Sequence, residues 1–192
     1  MDISGLQQQT RLIVHQKITM MVNRYVVHVV QPDGSPGEVV AFAEQKRLAF
    51  KEQVTLYTDE SRQRVLGGFK ARNVLDVTGE YDVTDHDGAP IGVFRKDFSR
   101  SLLRSTWHLR QPGLPTYTGS ERNPAVAILR RFSDSLSWLP YHFDFSVGAS
   151  IAFSVERMWG LRDRYAVTIR DPRLDRRLII AMAVALDALQ AR

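Results

Sequence analysis

The last nineteen residues, LDRRLIIAMAVALDALQAR, constrain the fold more than any other stretch. From Leu178 to Leu189 only Asp187 is not apolar, so a helix here is apolar on every face instead of along one stripe. Those residues span about 18 Å at ~1.5 Å per residue, whereas the hydrocarbon core of a bilayer is ~30 Å thick. Asp175, Arg176 and Arg177 bound the segment on one side, and Gln190 and Arg192 on the other, so no extension supplies the missing length. A helix too short to cross a membrane and apolar all round has to be enclosed by the rest of the chain. Ala181, Ala183 and Ala185 would let the enclosing side chains come close.

The rest of the chain offers strands to do the enclosing. LIVHQKI (12–18), RYVVHVV (24–30) and EVVAFA (38–43) are rich in β-branched and aromatic residues, and QPDGSPG between the last two carries turn formers. QVTLYT, RVLGGFKARN, VLDVTGEYDVTD, APIGVFRKD and SLLRSTWHL follow, separated by the turns DESRQ and HDG among others. Short strands at even spacing predict a meander that closes into a barrel or sandwich. YVVHVVQPDGSPGEVVAF, YDVTDHDGAPIGVF and, more weakly, LYTDESRQRVLGGF repeat one hairpin pattern. Any antiparallel protein with Asp-Gly turns has the same look. SIAFSVERMWGLRDRYAVTIRD reads as a final hairpin turning near Gly160.

One segment breaks the β pattern. In NPAVAILRRFSDSLSWLP, Asn123 suits the N-cap, Pro124 the first helical position, and Pro140 ends the run. Ala125, Phe132, Leu136 and Leu139 recur at helical spacing, which predicts an amphipathic helix inserted over about 123–139. Its SWLPYHF end carries Trp138, Tyr141 and Phe143, aromatics of the kind enriched at membrane interfaces. Packing as a lid over one barrel end is the competing use of that helix.

Chemistry is sparse. The chain has no cysteine, which excludes disulfides, thiolate metal sites and cysteine nucleophiles and gives no sign of an oxidising compartment. MDISGLQQQTRLIVHQK has an acid at position 2 and no basic stretch leading into an apolar one, so it does not read as a signal peptide, and the expected compartment is the cytoplasm. His15, His28, His86, His108 and His142 are scattered with no zinc-binding spacing, and LGGFK lacks the spacing of a phosphate-binding loop and reads as a strand kink or bulge. GASIA lacks the second glycine of a nucleophile elbow. Asp59, Glu60, Asp85 and Asp87 fall in hairpin turns, where Asp bonds its own backbone. No cofactor, metal or catalytic residue is assigned.

Charge placement says more. The net charge is +5, with 21 Arg against 5 Lys, a bias that anion recognition or a GC-rich genome would both produce. Along RQRVLGGFKAR, alternation places Val65, Gly67, Phe69 and Ala71 inward, and Arg62, Arg64, Lys70 and Arg72 outward. Along RSLLRSTWHLR, it places Leu103, Trp107 and Leu109 inward, and Arg100, Arg104, His108 and Arg110 outward. The two basic faces could merge into a surface for anionic lipid head groups. Against this, a barrel exterior is polar in any case, and neighbouring acids can neutralise it. The aromatics alternate into the core instead of interleaving with Arg, so nucleic acid is not an expected partner.

A strand-rich chain with YDVTDHDGAPIG in its middle, DRYAVTI near its end and a closing LDRRLIIAMAVALDAL helix resembles the superfamily of tubby C-terminal domains, phospholipid scramblases and LURP-one-related proteins. The resemblance runs from about Leu12 to Leu189 and rests on the order of elements. It implies a closed antiparallel barrel of about twelve strands threaded by the hydrophobic C-terminal helix (about 175–189), a mainly β fold with a single domain over 1–192. Tubby domains bind phosphoinositide head groups through basic residues on the barrel exterior, and no individual residue is carried over. Scramblases have a proposed calcium-binding acidic segment, where RDPRLDRR offers only Asp171 and Asp175 among four arginines; the cysteine-rich stretch and Pro-rich arm of animal scramblases are missing too. The resulting expectation is a non-enzymatic binding module at an anionic membrane surface, with Arg62, Arg64, Lys70, Arg72, Arg100, Arg104 and Arg110 as candidate lipid contacts. The alternative is a protein-interaction or scaffold domain without lipid affinity.

Overall fold

The alternating segments become twelve strands. A computed structural model describes residues 1–18, 22–46, 53–72, 79–97, 105–122, 142–158 and 164–190. After a short helix α1 (Ile3–Gln7) come β1 (Arg11–Ile18), β2 (Val22–Val30), β3 (Pro36–Lys46), β4 (Gln53–Tyr57), β5 (Val65–Ala71), β6 (Glu80–Asp85) and β7 (Pro90–Lys96). They are followed by β8 (Thr106–Arg110), β9 (Tyr117–Glu121), β10 (His142–Val147), β11 (Ser150–Met158), β12 (Arg164–Ile169) and helix α2 (Arg176–Gln190). Each strand pairs antiparallel with its sequence neighbours, and β1 pairs with β12 to close the barrel. Closure leaves no sheet edge exposed.

Three of the hairpin turns are built on aspartate. Asp33 accepts from the Ser35 amide at 2.9 Å, Asp59 from Ser61 at 2.8 Å, and Asp85 from Asp87 and Ala89 at 3.0 and 2.8 Å. These carboxylates hold the chain reversal, as their turn positions led one to expect.

Helix α2 is the centre of the core. Every residue from Leu178 to Leu186 is at most 1% exposed, which for a helix means neighbours on all sides. It packs against β2 on one side of the ring and β5, β6 and β7 on the other. The wall comes closest at Gly92, where an added Cβ would stand 2.8 Å from Leu178 Cδ2 and 2.5 Å from the Arg110 carbonyl oxygen. The one polar residue within the apolar run is answered from the wall: Tyr25 of β2 donates to Asp187 at 2.8 Å, and Tyr165 of β12 donates to its other oxygen.

The start of α2 is tied in as tightly. Asp175 caps it by accepting from the Arg177 amide at 2.8 Å, and Gln7 of α1 accepts from the Arg176 amide at 3.0 Å. Gln111 accepts from the Asp175 amide at 2.8 Å. Arg176 is 2% exposed and donates to the carbonyls of Gln9, Pro172 and Leu174, and its burial pushes its pKa down.

Several expectations need correcting or completing. Strands β9 and β10 and helix α1 were not read from the sequence. Phe143, read as part of an aromatic helix end, is a fully buried residue of β10. Val65, expected inward, is 44% exposed because the register slips between Leu56 and Tyr57. That bulge turns Leu66 into the core in its place, so LGGFK is the irregular strand its glycines suggested. The inserted helix expected over 123–139, with Trp138 and Tyr141, and the turn near Gly160 lie outside the described residues.

Candidate functional site

Strand register lays out a polar row on the outer wall. Gln53 faces Lys70, Lys70 faces Asp82, Asp82 faces Val93, and Val93 faces Arg110, which carries the row across β4 to β8. Thr55, Gly68 and Thr84 form the neighbouring row. Both rows line a cleft of about 890 Å³ that continues to the turns after β6 and β8. Gly68 leaves the middle of its floor bare; a Cβ there would stand 2.6 Å from the Val54 carbonyl oxygen. The cleft lies outside the strands that press on α2, where Gly92 lets the wall come in.

Four of the seven candidate basic residues already answer to acids or to a turn. Arg72 pairs with Glu80 at 2.8 Å and with both oxygens of Asp82, and Arg110 pairs with Glu80 at 3.0 Å. The Arg72 guanidinium holds the Asp82 carboxyl below its usual pKa, against the opposing effect of burial. Arg62 pairs with Glu44 at 3.2 Å. Arg62 and Arg64 belong to the turn before β5 instead of its outer face, since the strand begins only at Val65. Arg64 carries no ion pair among the described residues and lines a smaller cavity of about 110 Å³ beside α1.

Lys70 is the one candidate that lines the cleft, is exposed and has no ion pair among the described residues. Arg100 and Arg104 lie outside the described residues, while Trp107 and Leu109 point inward as their alternation predicts. Gln53, Thr55, Gly68, Thr84 and Val93 were not singled out beforehand. Only the paired glycines of LGGFK hinted at the place, because the row itself is made by register across five strands.

Other polar clusters serve the scaffold. Arg122 bridges Asp144 at 2.8 Å and Glu156 at 2.7 Å. The RDPRLDRR acids are likewise engaged: Asp171 by Arg173 and Tyr117, Asp175 by Arg177 and Gln7. Among the described residues no group of three or more His, Asp or Glu side chains is placed to hold a metal ion. No helix among them is long and apolar enough to cross a membrane.

A family model described as LURP-one-related matches residues 39–187, from β3 into α2. The two strands that complete the ring, β1 and β2, lie before the match. Among curated proteins, none matches the chain.

Proposed function

The chain belongs to the LURP-one-related family, and from that premise we propose that it is a non-enzymatic module that binds anionic lipid head groups in the outer cleft across β4 to β8. The observation that carries this reading is Lys70, an exposed cation with no ion pair among the described residues, beside a side-chain-free floor at Gly68. Among the charged groups that line the cleft, Lys70 and Arg110 stand against Asp82 and Asp85, and of the two cations only Arg110 is held in an ion pair among the described residues, with Glu80. Thr55, Thr84 and Gln53 supply neutral hydrogen-bonding groups for the oxygens of a head group. The resemblance to tubby domains and phospholipid scramblases supports a lipid ligand.

A protein-interaction role without lipid affinity is the second reading. It is favoured by the ion pairing of Arg62, Arg72 and Arg110, which spends on neighbouring acids the charge a membrane would need.

Cosedimentation with liposomes of graded anionic content across a salt series separates the two. The head-group reading expects binding that rises with anionic lipid and falls with salt. Lys70→Ser should weaken it about fivefold, the worth of one near-surface charge. Joint replacement of Arg62, Arg64, Arg100 and Arg104 by Ser reports on the wider basic surface. Absence of binding even at low salt sinks the lipid reading; binding untouched by Lys70→Ser removes the cleft from it.

A further inference from the structure

Large apolar side chains are seldom left in water at adjoining positions, yet here three of them gather at one corner of the barrel. Met1, Ile3 and Val65 are 46%, 42% and 44% exposed, and all three line the cavity beside α1. Each is held there by a specific device. The bulge opposite Leu56 and Tyr57 turns Val65 out. Asp2 caps α1 through the Gly5 amide at 2.8 Å, which sets Ile3 on the outside, and the Met1 ammonium pairs with Glu38.

Val65 and His86 line both this cavity and the large cleft, so the apolar corner and the Lys70 site form one continuous surface. Arg64 directly precedes Val65, and Lys70 lies near the other end of β5; neither carries an ion pair among the described residues. Three apolar side chains make a patch far smaller than the ~800 Å² per partner of a stable protein interface. A small apolar tip with Arg64 beside it and Lys70 farther along the same strand, both without an ion pair among the described residues, matches the chemistry of an anionic membrane interface.

We infer that this corner is the part of the protein that enters the membrane. Val65, Ile3 and Met1 reach into the boundary between head groups and acyl chains, while Arg64 beside them meets the anionic groups and Lys70, farther up β5, faces the membrane surface from the cleft. The inference rests on the head-group reading and adds to it an insertion depth and an orientation: at the barrel end where α2 begins, the side carrying α1 and the β4–β5 turn leads into the lipid, and the β10–β11 tip on the far side of that end stays in water.

The chain has no cysteine, so Val65→Cys carrying a polarity-sensitive fluorophore gives a single-site probe. Val147→Cys serves as the comparison; it is also exposed, at the tip of the β10–β11 hairpin, five strands away around the ring. With phosphatidylserine-containing vesicles, the label at position 65 should shift to the blue and the label at 147 should not. Val65→Asp should lower vesicle affinity about tenfold, the worth of one buried aliphatic side chain, and Val65→Phe should raise it, with the melting transition of each variant checked in solution. Vesicle binding with the position 65 label still in water, or with both labels shifting equally, overturns the inference and leaves the head-group reading standing. Absence of vesicle binding overturns both.

Discussion

Gly92 shows how little room a single position of the wall has. Its pocket is closed by the Arg110 carbonyl oxygen on the neighbouring strand and by Leu178 of the central helix. A methyl group there cannot be accommodated by turning a side chain alone, because one of the two obstacles is backbone. Gly92→Ala should therefore cost about 1–3 kcal/mol in denaturant unfolding, the range of overpacked cores. A loss below 0.5 kcal/mol would mean the wall is looser than its geometry implies. Asp187 makes the opposite point. An acid in an apolar helix reads from sequence as an interruption, and two tyrosines from β2 and β12 turn it into a fixed contact between helix and wall. Sequence showed that Asp187 was unusual, but only the fold brings Tyr25 and Tyr165 to it.

At the scale of elements, α2 and the wall depend on each other. The helix is apolar on every side, so it has no stable state in water, and the inward faces of twelve strands have nothing else to pack on. A truncation ending at Asp175 should lose cooperative unfolding and solubility, read by calorimetry and size exclusion. A truncated chain that stays soluble and melts sharply would show that the strands close without their centre. Most strands were legible because alternation survives in them. β9 and β10 were not: TYTGSE is short and polar on its outer face, and HFDFSV follows directly on a segment with helical spacing. The β5 bulge was half legible, since glycines marked a kink without telling which neighbour would turn outward.

Across the whole molecule, ion pairs and buried hydroxyls set the pH range of stability. Arg122 holds Asp144 below the usual carboxylate range, and Arg173 with Tyr117 does the same for Asp171. At Asp175, burial raises the pKa, but hydrogen bonds from Arg177 and Gln7 outweigh it. Carboxyls depressed in the folded state add stability that is present above their unfolded pKa of ~3.9 and lost as pH falls below it. Tyr117 has the reverse sign: burial and the bond to Asp171 push it from 10.0 up to about 12, so its contribution is whole below pH 10.0 and fades towards 12. The melting temperature should be flat from about pH 5 to about pH 9 and fall on both sides. Asp144→Asn combined with Asp171→Asn should make the acid limb shallower; an unchanged limb would assign acid loss to other groups. What the sequence determined by itself was the class of fold, because periodicity and a helix too short and too apolar for any place but a core are local properties of the chain. The tertiary structure decided the site: a cleft made by register across five strands, charges cancelled by neighbours distant in sequence, and one valine turned outward by a bulge. Those depend on which residues meet, and strand pairing settles that only when the barrel closes.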